Sequence, residues 1–292
     1  MSIASLIIPT YNRQRIVLQT LDYLNHQVGG DFEIIVVDQT AVPQKQLKDF
    51  KPSDSSVNYK YINIEEIGLP NARNIGADVS SADILIYIDD DCIPDPDMIS
   101  SYVNIFNNLD SRTWCVAGRV IEKNNNIFRQ SDKIVGGWIT WYGKTLKNFD
   151  TDNNGECQWA PGGNFAVRKN RFKELSGFDI NFIGNAMLED ADFGFKIIRN
   201  GGRVIYDPSP VMEHLRVNSG GTRRESSSKG MYYRSHNTIY FLRKHKLMLR
   251  ILPAVFYLAA VALKDLIKRK HGPLAIFWAP IGVIRGFFTK IQ

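Results

Sequence analysis

The stretch ILIYIDDDCIPDPD, residues 84–97, contains the strongest fold and site signal in this chain. Five apolar residues bounded by polar ones are typical of a buried strand. Three acids follow directly, Asp89, Asp90 and Asp91. Adjacent carboxylates repel one another, and a hard divalent cation with oxygen ligands would offset that repulsion. Because extended backbone alternates its side chains, Asp89 and Asp91 can face the same way. The alternative interpretation is a solvated acidic loop.

Apolar runs and helical patterns alternate on the N-terminal side of this stretch and just beyond it. Predicted strands cover residues 5–8, 33–37, 57–64 and 114–120, and predicted helices cover residues 13–28 and 69–79. A further short strand is predicted at residues 204–206. The alternation predicts an α/β fold with a Rossmann-like, mostly parallel central sheet flanked by helices. No G-x-G-x-x-G follows the first strand, so the dinucleotide-binding fingerprint is absent.

Polar side chains follow several of the predicted strands. Thr10, Tyr11 and Asn12 come after the first strand, Asp38 ends the second, and the three aspartates end a later one. In open α/β sheets the ligand crevice lies outside the carboxyl ends of the strands. We therefore expect these groups to converge at one edge of the sheet.

Charge is distributed unevenly along the 292 residues, whose net charge is +6. Residues 223–292 contain 14 Lys and Arg against two acids, whereas the remainder is mildly acidic. A basic segment predicts an anionic partner, although a solvated helical surface is the alternative. Cys92, Cys115 and Cys157 fit no zinc or C-x-x-C pattern, so we expect a reducing, cytoplasmic compartment. The N-terminus lacks a basic region and is interpreted as a first strand rather than a signal peptide.

The basic segment is also apolar. Runs at residues 252–263 and 274–284 are shorter than the ~20 residues needed to span a bilayer. Basic residues flank both runs, a combination typical of helices lying in the interface of an anionic membrane. We expect peripheral attachment at the cytoplasmic face of the membrane. A buried helical hairpin and a dimer contact are the alternatives.

Several motifs resemble those of the GT-A-type glycosyltransferases of family 2, in the family's order over roughly residues 3–222. They are IIPTYNR (7–13), VVDQT (36–40), GLPNARNIGA (68–77), IDDDCIPDP (88–96), GGNFAVRK (162–169) with GFD (177–179), MLEDADFGFK (187–196) and EHLRVNSGGTR (213–223). The resemblance implies an inverting transfer of a sugar from a nucleoside diphosphate sugar to a hydroxyl. It also implies a nucleotide-sugar-binding half at 1–120 and an acceptor-binding half at 121–225. The helical pattern beyond this region predicts a tail at 226–292.

The resemblance implies a role for each motif. The donor nucleotide would be held by Pro9, Thr10, Tyr11, Asn12, Asp38, Arg73, Asn74, Asp89 and Asp90. Arginine suits a diphosphate because its fork is bidentate and always charged. Gln39 stands where the family often has a second acid, so this motif does not identify the nucleotide base. As donor nucleotide, UDP is preferred to dTDP or GDP.

Asp89 and Asp91 resemble the pair that coordinates Mn²⁺ or Mg²⁺ across the donor diphosphate. His214 is a candidate third ligand, although a lone histidine is more often structural. Asp190 is the candidate general base, supported by Glu189. The alternative for these two acids is a favourable interaction with the helix dipole.

The remaining candidates concern the sugar and the diphosphate. Gly162, Gly163 and Asn164 resemble a turn close to the donor sugar or acceptor, and Trp159 is a candidate sugar contact in an aromatic region. A plain turn and a core tryptophan are the alternatives. Arg223 and Arg224, after two glycines, are interpreted as a lid over the diphosphate.

The expected acceptor is a glycan or lipid-linked glycan, in cell-surface polysaccharide synthesis. Other interpretations are a nucleotidyltransferase and a non-catalytic relative that binds a nucleotide or glycan. This chain lacks the glycine-rich loop that nucleotidyltransferases usually have after the first strand. The intact acids argue against a non-catalytic relative. The tail has no recognisable nucleic-acid-binding motif, so no nucleic-acid partner is expected.

Overall fold

The computed structural model describes residues 3–28, 31–122, 129, 132–217, 227–267 and 274–292. The strands are β1 (Ala4–Thr10), β2 (Phe32–Asp38), β3 (Asn58–Asn63), β4 (Ile84–Ile88), β5 (Cys92–Pro94), β6 (Thr113–Ile121), β7 (Gly136–Ile139), β8 (Thr145–Asn148), β9 (Gly155–Cys157), β10 (Asn164–Arg168) and β11 (Arg203–His214). The helices are α1 (Gln14–Leu24), α2 (Lys45–Lys48), α3 (Leu69–Val79), α4 (Met98–Asn108), α5 (Lys169–Glu174), α6 (Glu189–Arg199), α7 (Ser227–Lys244), α8 (Ile251–Ile267) and α9 (Ala275–Phe288).

A central sheet dominates the described part of the chain. Its strand order is β3-β2-β1-β4-β10-β6-β11-β5, and β9 pairs with β11. Six of these nine strands run in one direction, and β5, β9 and β10 run against them. The prediction of an α/β fold with a mostly parallel sheet is confirmed. Strands β7 and β8 form a separate hairpin.

The sheet is covered on both faces because its strands alternate buried side chains between two layers. On β1, Leu6 and Ile8 join a core with helices α1 and α4. Ile7, between them, joins the opposite core, which contains residues of α3, α6, α7 and α8. This two-sided burial explains why the central strands are continuously apolar.

Two boundaries differ from the sequence-based expectation. The first helix ends at Leu24 rather than at residue 28, and Val28 is 58% exposed. Residues 25–27 form turns, so the apolar spacing did not extend the helix. The strand expected at residues 204–206 is part of the twelve-residue β11, which reaches His214. Its pairing with β6 shifts register between Tyr206 and Val211, and the strand continues beyond this irregularity.

In the described part of the tail, helices α7, α8 and α9 pack together and against the body. Helix α7 packs against α9, and α8 packs against both. The end of α7 is fixed to α6 through Lys244 Nζ, which lies 2.9 Å from Asp192 Oδ2 and 2.5 Å from Asp179 Oδ2. Within the described ranges, no helix combines the length and apolar character needed to cross a membrane.

Candidate active site

The polar groups that follow the parallel strands meet at one edge of the sheet. Strand β1 lies between β2 and β4, and Thr10 at its end is in register with Asp38 at the end of β2. Asp89 follows β4 at the same edge. The expected convergence at the carboxyl ends of the strands is therefore present.

Three of these groups form a strand-end cluster, defined here as Asp89, Asp91 and His214. One ligand atom from each lies within 4.8 Å of the others. His214 Nε2 is 3.2 Å from Asp91 Oδ1 and 3.5 Å from Asp89 Oδ2. Asp91 and His214 are buried, whereas the Asp89 side chain is 35% exposed, which opens the cluster on one side.

Strand pairing brings His214 to the two aspartates across more than a hundred residues. Strand β5, directly after Asp91, runs antiparallel to the end of β11, with Cys92 opposite His214. The Leu215 amide donates to the Asp91 carbonyl, and the Val217 amide donates to Asp91 Oδ2. The chain after β11 is thus fixed against the acidic triplet.

Glu122 extends the cluster behind His214. Its Oε1 lies 3.3 Å from His214 Nδ1 and 2.5 Å from Arg216 Nε. Burial alone would lower the His214 pKa. The Asp91 hydrogen bond and the nearby acids outweigh this effect and raise the pKa above its ordinary value. Glu122 belongs to none of the sequence motifs, so the sequence analysis did not identify it.

Asp90 points away from the cluster. Its carboxylate accepts hydrogen bonds from Thr10 Oγ1 and Arg13 Nη1, both at 2.7 Å. Burial raises the pKa of Asp90 to about 6, although Arg13 opposes that effect. Arg13 Nη2 also donates to the Val217 carbonyl. Asp90 and Arg13 thereby tie β1, the acidic triplet and the segment after β11 together, a role that the sequence analysis did not assign to either residue.

The turn Gly162–Gly163 separates the strand-end cluster from a second acidic group. A Cβ on Gly163 would lie 2.3 Å from Asp89 Oδ2, and one on Gly162 would lie 2.7 Å from Arg73 Nη2. Real Cβ atoms do not approach other atoms so closely, so glycine is required for this packing. The turn therefore lies between Asp89 and Arg73.

The second group, called here the acid pair, consists of Glu189 and Asp190 in the first turn of α6. Arg73 Nη1 lies 2.5 Å from Glu189 Oε1, and both side chains are buried. Burial and the charge of Asp190 raise the pKa of Glu189 above its ordinary value, and Arg73 moderates the rise. Leu188, directly before the pair, has a left-handed φ of 79°. For a branched residue this conformation is strained, and such strain concentrates at functional sites.

Asp190 is partly exposed and lies beside Gly162 and Lys147. Burial raises its pKa above the ordinary aspartate value, whereas hydrogen bonds from the Ala191 and Gly162 amides and the charges of Arg73 and Lys147 oppose the rise. Burial lowers the pKa of Lys147, with the charges of Asp190 and Glu122 acting against it. Lys147, on β8, is therefore influenced by both Asp190 and Glu122, and no sequence motif marked it.

Several residues predicted to contact the ligand point into the protein. Asn74 exchanges two 2.8 Å hydrogen bonds with the backbone of Phe178. Asn164 accepts from the Tyr102 hydroxyl and donates to backbone carbonyls. Trp159 is only 4% exposed and packs edge-on against Phe149. These side chains are held by contacts within the protein, and the predicted ligand roles of Asn74, Asn164 and Trp159 stay predictions.

Arg73 also has a different environment from the one expected. Its guanidinium is 2% exposed and donates to Glu189 and to the Gly162 carbonyl, so its diphosphate role stays a prediction. Asp38 is fully buried, and its oxygens accept from the Thr40 amide and the Tyr61 hydroxyl.

The remaining candidates of the first loop lie around the end of β1. Pro9 is buried in the strand, Tyr11 is half-buried, and Asn12 is exposed with a left-handed φ of 53°. Asparagine tolerates this conformation better than most residues. Arg223 and Arg224, the predicted lid, lie outside the described residues.

The mostly parallel sheet flanked by helices has the architecture of the GT-A fold. Residues 5–176 match the family model described as "Glycosyl transferase family 2". Because the match covers more than half of the sequence, the chain belongs to glycosyl transferase family 2, whose members transfer sugars from nucleotide-sugar donors.

A relative in Escherichia coli, "Chondroitin synthase", is 25% identical over 227 residues. The alignment covers 68% of this chain but only 32% of that protein, so the chain spans about a third of its length.

Two solved structures share the fold. The mannosyltransferase PcManGT from Pyrobaculum calidifontis, in complex with GDP-Man and Mn²⁺, has a TM-score of 0.61 at 14% identity. The alignment covers 98% of this chain and 87% of that one. S. aureus TarS 1-349 in complex with UDP-GlcNAc has a TM-score of 0.63 at 13% identity, covering 94% and 79% of the two chains.

Proposed function

We propose that this chain is an inverting glycosyltransferase that moves a sugar from a nucleoside diphosphate sugar to an acceptor hydroxyl. One observation carries the proposal: the Gly162–Gly163 turn separates the strand-end cluster from the acid pair. Sugar transfer needs charge stabilisation at the leaving diphosphate and a base at the attacking hydroxyl. Two acidic groups on either side of a tightly packed turn suit these two tasks.

The strand-end cluster would hold a divalent cation, Mn²⁺ or Mg²⁺. Two carboxylates and an imidazole whose ligand atoms lie within 4.8 Å of one another fit such an ion. When bound, the cation would neutralise negative charge on the departing nucleoside diphosphate. Behind it, Glu122 beside Nδ1 would fix the orientation of His214, as carboxylates commonly do for ligating histidines.

Asp190 would act as the general base. Its carboxylate would take the proton from the acceptor hydroxyl while that oxygen attacks the anomeric carbon, and a single displacement inverts the configuration there. Partial burial suits this task because it raises the pKa of the carboxyl and makes the group a stronger base. Glu189, held by Arg73, would keep the start of α6 in place.

We propose UDP as the donor nucleotide, ahead of dTDP and GDP. The buried Asp38, half-buried Tyr11 and exposed Asn12 around the end of β1 would form the base pocket. The TarS complex with UDP-GlcNAc supports testing UDP first, and the PcManGT complex with GDP-Man makes GDP the next choice.

The proposed acceptor is a glycan, free or lipid-linked, and the proposed place of action is the cytoplasmic face of a membrane. The polysaccharide relative supports a glycan acceptor. The basic, apolar tail supports an anionic membrane surface as a partner.

The test is the melting temperature of the purified protein with UDP, dTDP or GDP, each with Mn²⁺, with Mg²⁺ and with chelator. A ligand that binds only the folded state stabilises it by about 2.7 kcal/mol at a hundred times its dissociation constant. We expect a metal-dependent rise with UDP. If folded protein shows no rise with any diphosphate and metal, the donor site as proposed is wrong.

A further inference from the structure

Helices α8 and α9 carry large apolar side chains on their exposed sides and small residues on their buried sides. Large apolar residues recur at helical spacing on their outward faces, where a globular protein normally carries polar residues. On α8, Leu252 and Phe256 are 65% and 68% exposed, and on α9, Phe277 and Phe288 are 66% and 82% exposed. The outward apolar face comprises Leu252, Phe256, Leu263, Ile267, Phe277, Ile281, Ile284 and Phe288.

The inward faces of the same helices carry small residues. Ala254 and Ala262 of α8 and Ala275 and Ala279 of α9 are buried. Gly282 of α9 meets α7 so closely that an added Cβ would lie 2.3 Å from a backbone carbonyl oxygen. The inner contacts are therefore made by small residues, and the large apolar residues remain exposed on the outward sides of both helices. Such surfaces mark an interaction site.

Positive charge surrounds this apolar surface. Lys246, Lys264, Arg285 and Lys290 are exposed on or beside the two helices. From residue 227 onward, the described part of the chain contains nine Lys and Arg and a single acid, Asp265. A second copy of the chain on this face would bring like charges together, which is unfavourable. An apolar layer with a negatively charged boundary matches both properties.

An exposed aromatic residue of the body lies near α8. Trp141, in the turn of the β7–β8 hairpin, is 65% exposed. Its ring contacts Tyr142, which in turn contacts Tyr257 of α8, at centroid distances of 5.5 and 5.3 Å. Tryptophan and tyrosine are enriched at the level of lipid headgroups. The other strand of this hairpin carries Lys147, beside Asp190.

We infer that the outward face of α8 and α9, together with Trp141, is a docking surface for an anionic lipid bilayer. The two helices would lie in the membrane interface with their apolar stripes inserted and their lysines and arginines at the headgroups. The inference also concerns the acceptor, and this part of it rests on the proposed function. The β7–β8 hairpin carries both Trp141 and Lys147, whose charge acts on Asp190, so a bilayer docked there would present a glycan carried by a membrane lipid as the acceptor.

The test is co-sedimentation of the whole protein with vesicles of pure phosphatidylcholine and with vesicles containing about a third phosphatidylglycerol. We expect binding to the anionic vesicles that weakens with added salt. The double variant Phe256→Ser/Phe277→Ser should bind them at least about tenfold more weakly, because two inserted rings are lost. Val28→Ser, at an exposed site outside this surface, is the matched control and should bind like the wild type.

Metal-dependent UDP binding, measured in solution for all variants, separates this inference from the proposed function. It should be unchanged in the double variant, which also shows that the variant is folded. Wild-type protein that binds UDP but neither type of vesicle would overturn the docking surface. So would a wild-type dimer in sedimentation that the double variant converts to monomers without any vesicle binding. Transfer to a soluble glycan and not to a lipid-linked one would overturn the acceptor assignment alone.

Discussion

Arg73 and Glu189 form a buried ion pair, with Nη1 2.5 Å from Oε1, between helix α3 and the first turn of α6. The same guanidinium donates to the Gly162 carbonyl, beside the glycine that packs on Asp89. One side chain thus connects the acid pair to the turn that borders the strand-end cluster. The arrangement makes Arg73 a positioning residue for both halves of the site.

We predict that Arg73→Met destabilises the protein by about 3–5 kcal/mol, because Glu189 would be left as a buried and unpaired acid. Thermal or denaturant unfolding measures the loss. Arg171→Met is the matched control, since Arg171 pairs with Glu174 on the surface of α5 and exposed pairs contribute about 0–1 kcal/mol. Equal effects of the two substitutions would contradict the importance assigned to the buried pair.

For Asp190→Asn we predict a fall in turnover of ~10²-fold or more with nearly unchanged donor binding, since the amide cannot accept the acceptor proton. Initial transfer rates and UDP-dependent melting shifts measure the two effects separately. Asp78→Asn, an exposed aspartate on α3, is the control and should keep the wild-type rate. A nearly normal rate for Asp190→Asn would place the base elsewhere.

The pH dependence of transfer offers a second test of the same residue. Burial raises the pKa of Asp190, so the base becomes protonated at a higher pH than an ordinary aspartate. The rate should therefore fall as the pH drops through that raised value. Lys147→Met removes a nearby positive charge that lowers the pKa of Asp190, so it should raise that pKa further and move the acid limb to higher pH. An acid limb at the same pH in both proteins would argue against Asp190 as the titrating base.

We predict that Asp91→Ala abolishes turnover and removes the Mn²⁺-dependent part of UDP binding, because one ligand of the strand-end cluster is lost. The melting shift by UDP with and without chelator measures the metal contribution. Asp97→Ala, at an exposed acid six residues away, should leave both unchanged. Full activity of the wild-type protein in chelator would show that the cluster does not serve a metal-dependent step.

The sequence predicted best those parts of the molecule that depend on local pattern. Strand β4 and helix α3 have the predicted boundaries because uniform burial and helical spacing leave a direct signature. His214 was a candidate only through its motif, since its place beside Asp91 requires pairing between β5 and β11. Arg73 shows the limit of reasoning from residue type. A guanidinium suits a diphosphate or a buried carboxylate equally well, and the sequence could not show that Glu189, 116 residues away, lies beside it.

Gly163→Ala tests whether the turn itself positions the cluster. The added methyl group would lie 2.3 Å from Asp89 Oδ2, so Asp89 or the turn must move. A misplacement of about 1 Å in an active site can cost ~10²-fold in rate, and we expect a loss of this order. Gly230→Ala is the matched control: it lies in helix α7 with nothing within 4 Å of the new Cβ, and should increase stability by about 0.5–1 kcal/mol without changing the rate. Transfer rates and melting temperatures of both variants test whether the turn positions Asp89. Unimpaired transfer by Gly163→Ala would mean that Asp89 tolerates displacement and that the turn only connects two strands.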